Sequence, residues 1–232
     1  MLSIGKVARV AVAVCALAVF AGCSNNDNPA PDKSLLDVNE MRGALMQADE
    51  VGTTWTAPNE SADPNQLVSI CGGTTAPPSA PPGGQVVSAP LVDEGDSGAQ
   101  TLYQIAIVYG DPSAAKAGLE ALRAVADGCA ASVSVPQTVN AEKSEPAYTE
   151  KVSTQPLEQG NWSGFAVIRH KEYESAHPGT ADTAVAIVAD SNVLLVDSYA
   201  IYRLGAKSNA SAQSQFSGDW ERLVGTVVNR VG

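Results

Sequence analysis

The sequence predicts a single α+β domain, in which helices flank an antiparallel or mixed sheet of about four to six strands and one disulfide fastens the chain. Two observations carry this prediction. The strand-like segments are mostly consecutive and joined by short turns, and helix-like segments lie before, among and after them. A doubly wound fold would instead alternate strands and helices throughout. The hydrophobic fraction of 44% in 232 residues excludes a wholly disordered chain.

Three segments place apolar residues at helical spacing. Residues 35–51 predict a first amphipathic helix. A second helix begins after Asp111 as its N-cap, with Pro112 at its first position, and ends at Gly128. The third predicted helix needs a sheet to cover its apolar stripe, which consists of Phe216, Trp220, Leu223, Val224, Val227 and Val231.

Strands are predicted where β-branched and aromatic residues concentrate. These segments are 100–109, 161–170, 183–189 and 193–202, and the turn Asp190-Ser191-Asn192 joins the last two as a hairpin. A long exposed loop is predicted over 53–90, with one short extended piece at 85–89, because Pro, Gly, Ser and Thr dominate it. Residues 136–160 are interpreted as a polar connection.

The N-terminus has the pattern of a secretory signal peptide over residues 1–22. Lys6 and Arg9 precede an apolar run at 10–20, which is too short to cross a bilayer as a helix, and small residues precede Cys23. Phe20-Ala21-Gly22-Cys23 resembles the bacterial lipobox, which implies that Cys23 is diacylated and becomes the new N-terminus. A transmembrane anchor, or an ordinary signal peptide that happens to contain a cysteine, is the alternative. The polar residues 23–33 are interpreted as a lipidated tether, and residues 34–232 as the folded domain.

The four cysteines leave one pair inside the predicted domain. Cys15 departs with the signal peptide and Cys23 carries the lipid, so Cys71 and Cys129 remain. In an oxidising compartment this pair predicts one structural disulfide. A redox-active pair would have C-x-x-C spacing, and a zinc site would need more ligands than this pair and two His residues supply.

The charge excludes nucleic acid as an expected partner. Loss of residues 1–22 removes two basic and no acidic residues, which changes the formal net charge from −11 to −13. Binding to a phosphate backbone needs clustered Lys and Arg. The same negative charge would be repelled by anionic lipid headgroups, so the lipid anchor is the expected contact with the membrane. No cofactor is predicted.

Two segments carry candidate catalytic or metal-binding side chains. Ser97 lies in Gly-Asp-Ser-Gly, which resembles the nucleophile segment of trypsin-like proteases, but His170 and His177 both follow it, whereas the protease histidine precedes its serine. We interpret this segment as an acidic turn and predict no catalytic residue. A divalent metal could be bound by the side chains of His170, Glu172, Glu174 and His177. The alternative is that this segment is a solvated hairpin end, and we predict no metal site.

Three further residues are candidates for a ligand cleft. Asp197 interrupts a predicted strand that is otherwise apolar. Its carboxylate would lie either against the core or on the outward face beside Tyr199, and strand alternation favours the outward face. Trp55 and Trp162 could stack on a ligand, although core packing is favoured for Trp162.

The order of these features resembles a known family. It comprises a lipobox, a tether, the helix motif Leu35-Leu36…Glu40-Met41, Cys71 in a Pro-rich loop, Tyr109-Gly110-Asp111-Pro112, Cys129 after an Ala-rich helix, and a closing hairpin and helix. This order is similar to the PknH-like extracellular sensor domains of actinobacteria. The resemblance implies a sandwich-like α+β domain with a cleft for an unknown extracellular ligand. The receptor kinase for which this family is named carries a second disulfide in its extracellular domain, and this chain lacks the cysteines to form it. No kinase catalytic loop is present in this sequence.

The leading functional hypothesis is a non-enzymatic, lipid-anchored envelope protein that binds a small molecule or protein outside the cytoplasmic membrane. Two alternatives stay open: an envelope hydrolase with a site assembled from distant residues, and a structural scaffold with an exposed apolar patch. A pocket with convergent carboxylates and His170 would favour the hydrolase. A pocket of apolar and neutral polar groups would favour ligand capture, and a flat apolar patch would favour the scaffold.

Overall fold

A seven-stranded antiparallel sheet organises the computed structural model, which describes residues 35–59, 63, 65–95, 98–139, 144–174, 179–205 and 209–232. Its strand order is β1-β2-β9-β8-β7-β6-β3, and β4 and β5 form a separate two-stranded ribbon. The strands are β1 Gln85–Gly95, β2 Gly98–Val108, β3 Ser132–Val135, β4 Thr138–Val139, β5 Ser144–Glu145, β6 Tyr148–Gln159, β7 Trp162–Tyr173, β8 Gly179–Asp190 and β9 Val193–Leu204. The helices are α1 Val38–Ala44, α2 Ala48–Val51, α3 Pro112–Asp127 and α4 Ala210–Val231.

Helices cover both faces of this sheet, because alternate residues of its central strands are apolar on both sides. Helices α1 and α4 bury one face, in a cluster that contains Leu102, Leu195, Trp220 and Leu223. On the other face lie α3 and the loop 65–84, which we call the Cys71 loop. Residues 34–232 form one compact unit that includes every described residue.

The predicted fold class is broadly confirmed, but the predicted number of strands is too low. Strand β6 lies inside the stretch interpreted as a polar connection, and β1 extends well beyond the short piece at 85–89. Strand β1 contains Pro90 and strand β6 contains Pro156, and both prolines lie on an open side of the sheet. The Val92 N–H bonds outward to Thr56, and the Val152 N–H bonds outward to Ala131. Strand alternation therefore points the nitrogens of Pro90 and Pro156 away from the neighbouring strand, where no donor is needed.

The predicted first helix is in fact two short helices. Helix α1 begins at a capping box of Asp37 and Glu40 and ends at Leu45, whose backbone is extended. At the break, the backbone N–H and C=O of Met46 both bond to the side chain of Gln104, a fully buried residue of β2. The apolar spacing of 35–51 continues through this break, so periodicity alone does not reveal it.

The other two helices and the hairpin agree with the sequence. Asp111 caps α3 by accepting a hydrogen bond from the Ala114 N–H, Pro112 is its first residue, and Gly128 is its C-cap. Helix α4 buries the predicted stripe except Val231, which is only partly buried. Strands β8 and β9 pair as a hairpin from Asp190 and Val193 outward.

The β8–β9 turn also fixes the start of the folded chain. The buried Asn192 side chain accepts a hydrogen bond from the Leu36 N–H and donates to the Leu36 C=O, each at 2.9 Å. It also donates to the Tyr109 C=O at 2.7 Å. No helix among the described residues is both long enough and apolar enough to span a bilayer.

Candidate functional site

A cleft of about 340 Å³ lies between the Cys71 loop and the sheet, on the face that also carries α3. Helix α3 packs on the half of that face formed by residues such as Phe165, Val167, Val185 and Leu194, and the cleft lies over the other half. Hydroxyl groups and apolar side chains dominate its lining, which comprises Asp63, Gln66, Leu67, Val68, Ser69, Thr101, Tyr103, Arg169, Thr183, Ser198 and Ala200.

Arg169 is the one basic residue among the described residues of that lining, and it comes from the central part of β7. Its side chain is only 12% exposed. Burial lowers the pKa of its guanidinium, while Glu150 and Tyr148 oppose that shift; a guanidinium nevertheless stays protonated at neutral pH. Within the described part of the chain, Arg169 makes one ion pair, from Nη1 to Glu150 Oε1 at 3.6 Å, and its buried Nε has no hydrogen-bond partner.

Glu150, on β6, is the buried counter-ion of Arg169. It is 0% exposed, and its Oε2 accepts a hydrogen bond of 2.6 Å from the Gly73 N–H. The chain wraps this carboxylate tightly: Gly72 has φ +72°, and a Cβ atom there would lie 2.5 Å from Glu150 Oε2. Only glycine meets both the conformation and the close approach. The orientation of Arg169 thus depends on the Cys71 loop.

The disulfide fastens that loop to α3. Cys71 directly precedes Gly72, and its partner Cys129 lies just after the C-cap of α3, at a sequence separation of 58. The predicted pair is therefore present. The bridge positions the glycines that hold Glu150, and Glu150 lies against Arg169 in the cleft.

A larger, more open groove of about 580 Å³ lies near one end of β6 and β7, beside Tyr148 and Tyr173. Several polar groups next to it are already paired with one another. Lys171 Nζ lies 4.1 Å from the centre of the Tyr148 ring and pairs with Glu145, which also accepts a hydrogen bond from the Tyr173 hydroxyl. We therefore take the Arg169 cleft, with its unsatisfied buried donor, as the candidate site.

The segment considered as a metal-binding candidate is not part of this cleft. His170 follows Arg169 and points to the opposite face of the sheet, where its Nδ1 lies 2.6 Å from Asp182 Oδ1 and its Nε2 lies 3.5 Å from Glu172 Oε1. Asp182 Oδ2 accepts a hydrogen bond from Arg203 Nη1 at 2.7 Å. The bond to Asp182 raises the pKa of His170. Its two imidazole nitrogens thus face different carboxylates, and no metal-binding group of three or more ligands occurs among the described residues.

The structure also bears on the hydrolase hypothesis. The described contacts of His170 are with carboxylates, and no hydroxyl or thiol of the described chain lies within hydrogen-bond distance of it. The cleft hydroxyls of Thr183 and Ser198 lie on the other side of the sheet. Ser97, His177 and Cys23, the residue predicted to be lipidated, lie outside the described residues.

Asp197 is not on an outward face, so that expectation is wrong. It is 2% exposed and lies between Leu195 and Tyr199 along the face covered by α1 and α4. Among the described residues neither carboxylate oxygen has a hydrogen-bond partner, and burial raises the pKa of Asp197 to about 8. Strand β9 is central and covered on both sides, so alternation provides no exposed position there. Trp55 and Trp162 both pack in the same core cluster and do not line the cleft.

The sequence interpretation missed Arg169, Glu150 and Gly72. One signal was available for Arg169: it continues the alternation Phe165, Val167 on the buried face of a predicted strand. A charged side chain at such a position must be neutralised or hydrogen-bonded. The partner on β6 could not be identified, because β6 itself was not predicted.

Two comparisons with known proteins identify a family model and a solved structure that are similar to this chain. The family model described as a PknH-like extracellular domain matches residues 27–213. The crystal structure of the extracellular domain of PknH from Mycobacterium tuberculosis superposes with a TM-score of 0.50 at 14% sequence identity, covering 86% of this chain and 98% of that one. At this identity the superposition establishes a shared fold. No curated protein matches the chain.

Proposed function

This chain belongs to the PknH-like extracellular domain family, and we propose that it is a lipid-anchored, extracytoplasmic domain that captures a small ligand in the Arg169 cleft without chemical conversion. The observation that carries the proposal is the buried guanidinium in a cavity lined mainly by hydroxyl and apolar groups. Such a lining is typical of a ligand site, in which a few polar groups orient a molecule among apolar contacts.

The absence of a nucleophile beside His170 in the described chain supports binding over hydrolysis, because covalent catalysis needs a nucleophile within hydrogen-bond reach of its base. A transfer of protons alone would need a base in the cleft. Asp63 is the one carboxylate in the described lining, and with no nucleophile identified beside it we assign no catalytic residue.

Native mass spectrometry of the full-length protein, purified from its own membranes in mild detergent, tests ligand capture. We expect a small molecule bound at one copy per chain and lost in the double variant Glu150→Gln/Arg169→Gln, which removes the guanidinium without leaving a buried carboxylate unpaired. Arg222→Gln removes the same charge from an exposed position on α4 and should keep the molecule. If both variants retain it equally, or the wild-type protein carries nothing in this cleft, the proposal is wrong.

Metabolic labelling with radioactive palmitate tests the anchor. Label should enter the wild-type protein and be absent from Cys23→Ala, whereas Cys15→Ala should be labelled normally because that residue lies within the predicted signal peptide. Incorporation that survives Cys23→Ala would refute the lipid attachment and leave the ligand site unaffected.

A further inference from the structure

We propose that the ligand of the cleft carries a single carboxylate, which accepts paired hydrogen bonds from the Arg169 guanidinium. This inference rests on the proposed function and narrows it from a small molecule to a chemical class. It is argued from the unsatisfied donors, the charges around them and the remaining lining.

The guanidinium has more donors than its protein partners use. Arginine carries five N–H donors. Within the described chain, Arg169 has no hydrogen bond and one ion pair whose Nη1–Oε1 distance of 3.6 Å is too long for a hydrogen bond. Nε is too deeply buried to be the first donor that a ligand meets, and Glu150 Oε1, 3.6 Å from Nη1, has no hydrogen-bond partner among the described residues either. Because Arg169 lines the cleft and its two Nη groups make no hydrogen bond within the described chain, these Nη groups are the donors left for a ligand.

The shape of the donor group favours a planar acceptor. A guanidinium presents two parallel N–H groups that match the two oxygens of a carboxylate, which a carbonyl or hydroxyl cannot do. Exclusion of water from a side chain that is only 12% exposed makes such a pair stronger than it would be on the surface.

The surrounding charges favour one negative charge over two. Glu150, which lies behind the lining, is 3.6 Å from Arg169, so this pair is close to neutral overall. Asp63 contributes a carboxylate to the lining itself. A phosphate dianion would therefore meet one cation and two anions, whereas a monoanion adds its bidentate hydrogen bonds at a smaller electrostatic cost.

The remaining lining describes the rest of the molecule. Hydroxyls of Thr101, Tyr103, Thr183 and Ser198 can bond hydroxyl or amide groups, and Leu67 offers apolar contact. A volume of about 340 Å³ suits a small molecule and is at the lower end of ligand cavities. A small carboxylic acid with polar substituents fits this environment.

Side-chain NMR of the full-length protein in detergent tests the assignment, with acetate, acetamide and inorganic phosphate as probes. The Nε–Hε resonance of Arg169 should shift saturably with acetate and stay unchanged with acetamide, which has the same size and no charge. Phosphate at pH 7.5, where the dianion dominates, should need at least tenfold higher concentration than acetate. A response to acetamide equal to that of acetate would overturn the inference.

Variants complete the test. Arg169→Lys keeps the charge but loses the paired donors, so the acetate affinity should fall about tenfold. Arg169→Gln alone leaves Glu150 buried without its cation, so the double variant Glu150→Gln/Arg169→Gln serves as the folded, uncharged comparison and should not bind acetate. Acetate binding that persists in the double variant would overturn the inference.

The identity of the co-purified molecule separates the two proposals. A carboxylic acid released from the cleft supports both. A neutral molecule or a phosphate ester released from the same cleft would overturn the carboxylate assignment and leave ligand capture standing. A cleft that is empty after purification and insensitive to all three probes would overturn both.

Discussion

Replacement of Asp197 by asparagine should stabilise the protein at neutral pH. The wild-type carboxyl is 2% exposed and has no hydrogen-bond partner in the part of the chain that the structure describes, and burial raises its pKa to about 8. Below that pH it is held as a neutral acid in the folded state, whereas in the unfolded chain it ionises near its ordinary pKa of 3.8. Folding at neutral pH therefore requires proton uptake, which an asparagine does not need.

The magnitude follows from the two pKa values. One pKa unit corresponds to 1.36 kcal/mol, and pH 7 lies about three units above the unfolded value, so the penalty at pH 7 is on the order of 4 kcal/mol. At pH 4 the carboxyl is neutral in the folded state and only partly ionised in the unfolded chain, and the penalty is close to zero. The asparagine amide is also neutral and buried, so its own desolvation is similar at both pH values.

Urea unfolding at pH 4, 5.5 and 7 provides the assay. The variant should match the wild-type free energy of unfolding at pH 4 and exceed it progressively toward pH 7. A pH-independent difference, or a loss of stability at pH 7, would falsify the account of Asp197 as an unpaired buried acid.

Asp182→Asn is the matched control, because it makes the same substitution on the same face of the sheet with the opposite expected sign. Burial raises the pKa of Asp182, but the hydrogen bonds from His170 and Arg203 together outweigh this and lower it. Its stabilising contribution is present at neutral pH and is lost as the pH falls through its lowered pKa. Asp182→Asn should therefore destabilise at pH 7 and have a diminishing effect in acid.

Three further outcomes are expected. Replacement of Cys71 and Cys129 by serine should reduce the free energy of unfolding in urea by about 4 kcal/mol, the loop-entropy value for their separation; an unchanged midpoint would contradict this. Gly72→Ala should cost more than the roughly 1–2 kcal/mol of backbone strain expected at Gly83→Ala, because the added methyl meets a buried carboxylate at Gly72 and open space at Gly83. His170→Gln should lower the Tm most below pH 6.5 and progressively less as the pH rises through the raised pKa of the wild-type imidazole; a deficit that grows with pH would contradict the proposed ion pair.

Local chemistry allowed several elements to be predicted from the sequence. The cap and proline of α3, the short turn between β8 and β9 and the stripe of α4 are signals that neighbouring residues generate, and they survive in the tertiary structure. The paired cysteines follow from their number in an exported chain. The signal peptide and the lipidation of Cys23 stay predictions of the sequence.

Burial of charge was the point at which prediction from the sequence failed. Glu150 occupies an inward position of β6 and thereby breaks the apolar alternation that identifies a strand, so neither the strand nor its role beside Arg169 could be recognised. Asp197 was expected outward because one polar face is normal for an antiparallel sheet, but a second layer of helices covers that face here.

The sequence by itself therefore determined the ends of α3, the hairpin, the cysteine pair and the α+β class, since each depends on residues close together in the chain or on composition. Only the tertiary structure decided the number of strands, the break at Leu45 imposed by Gln104, and the cleft. These features depend on which layers cover each face of the sheet and on contacts between residues such as Gly73, Glu150 and Arg169. No local pattern encodes those contacts, because the free energy of a buried charge is set by what surrounds it.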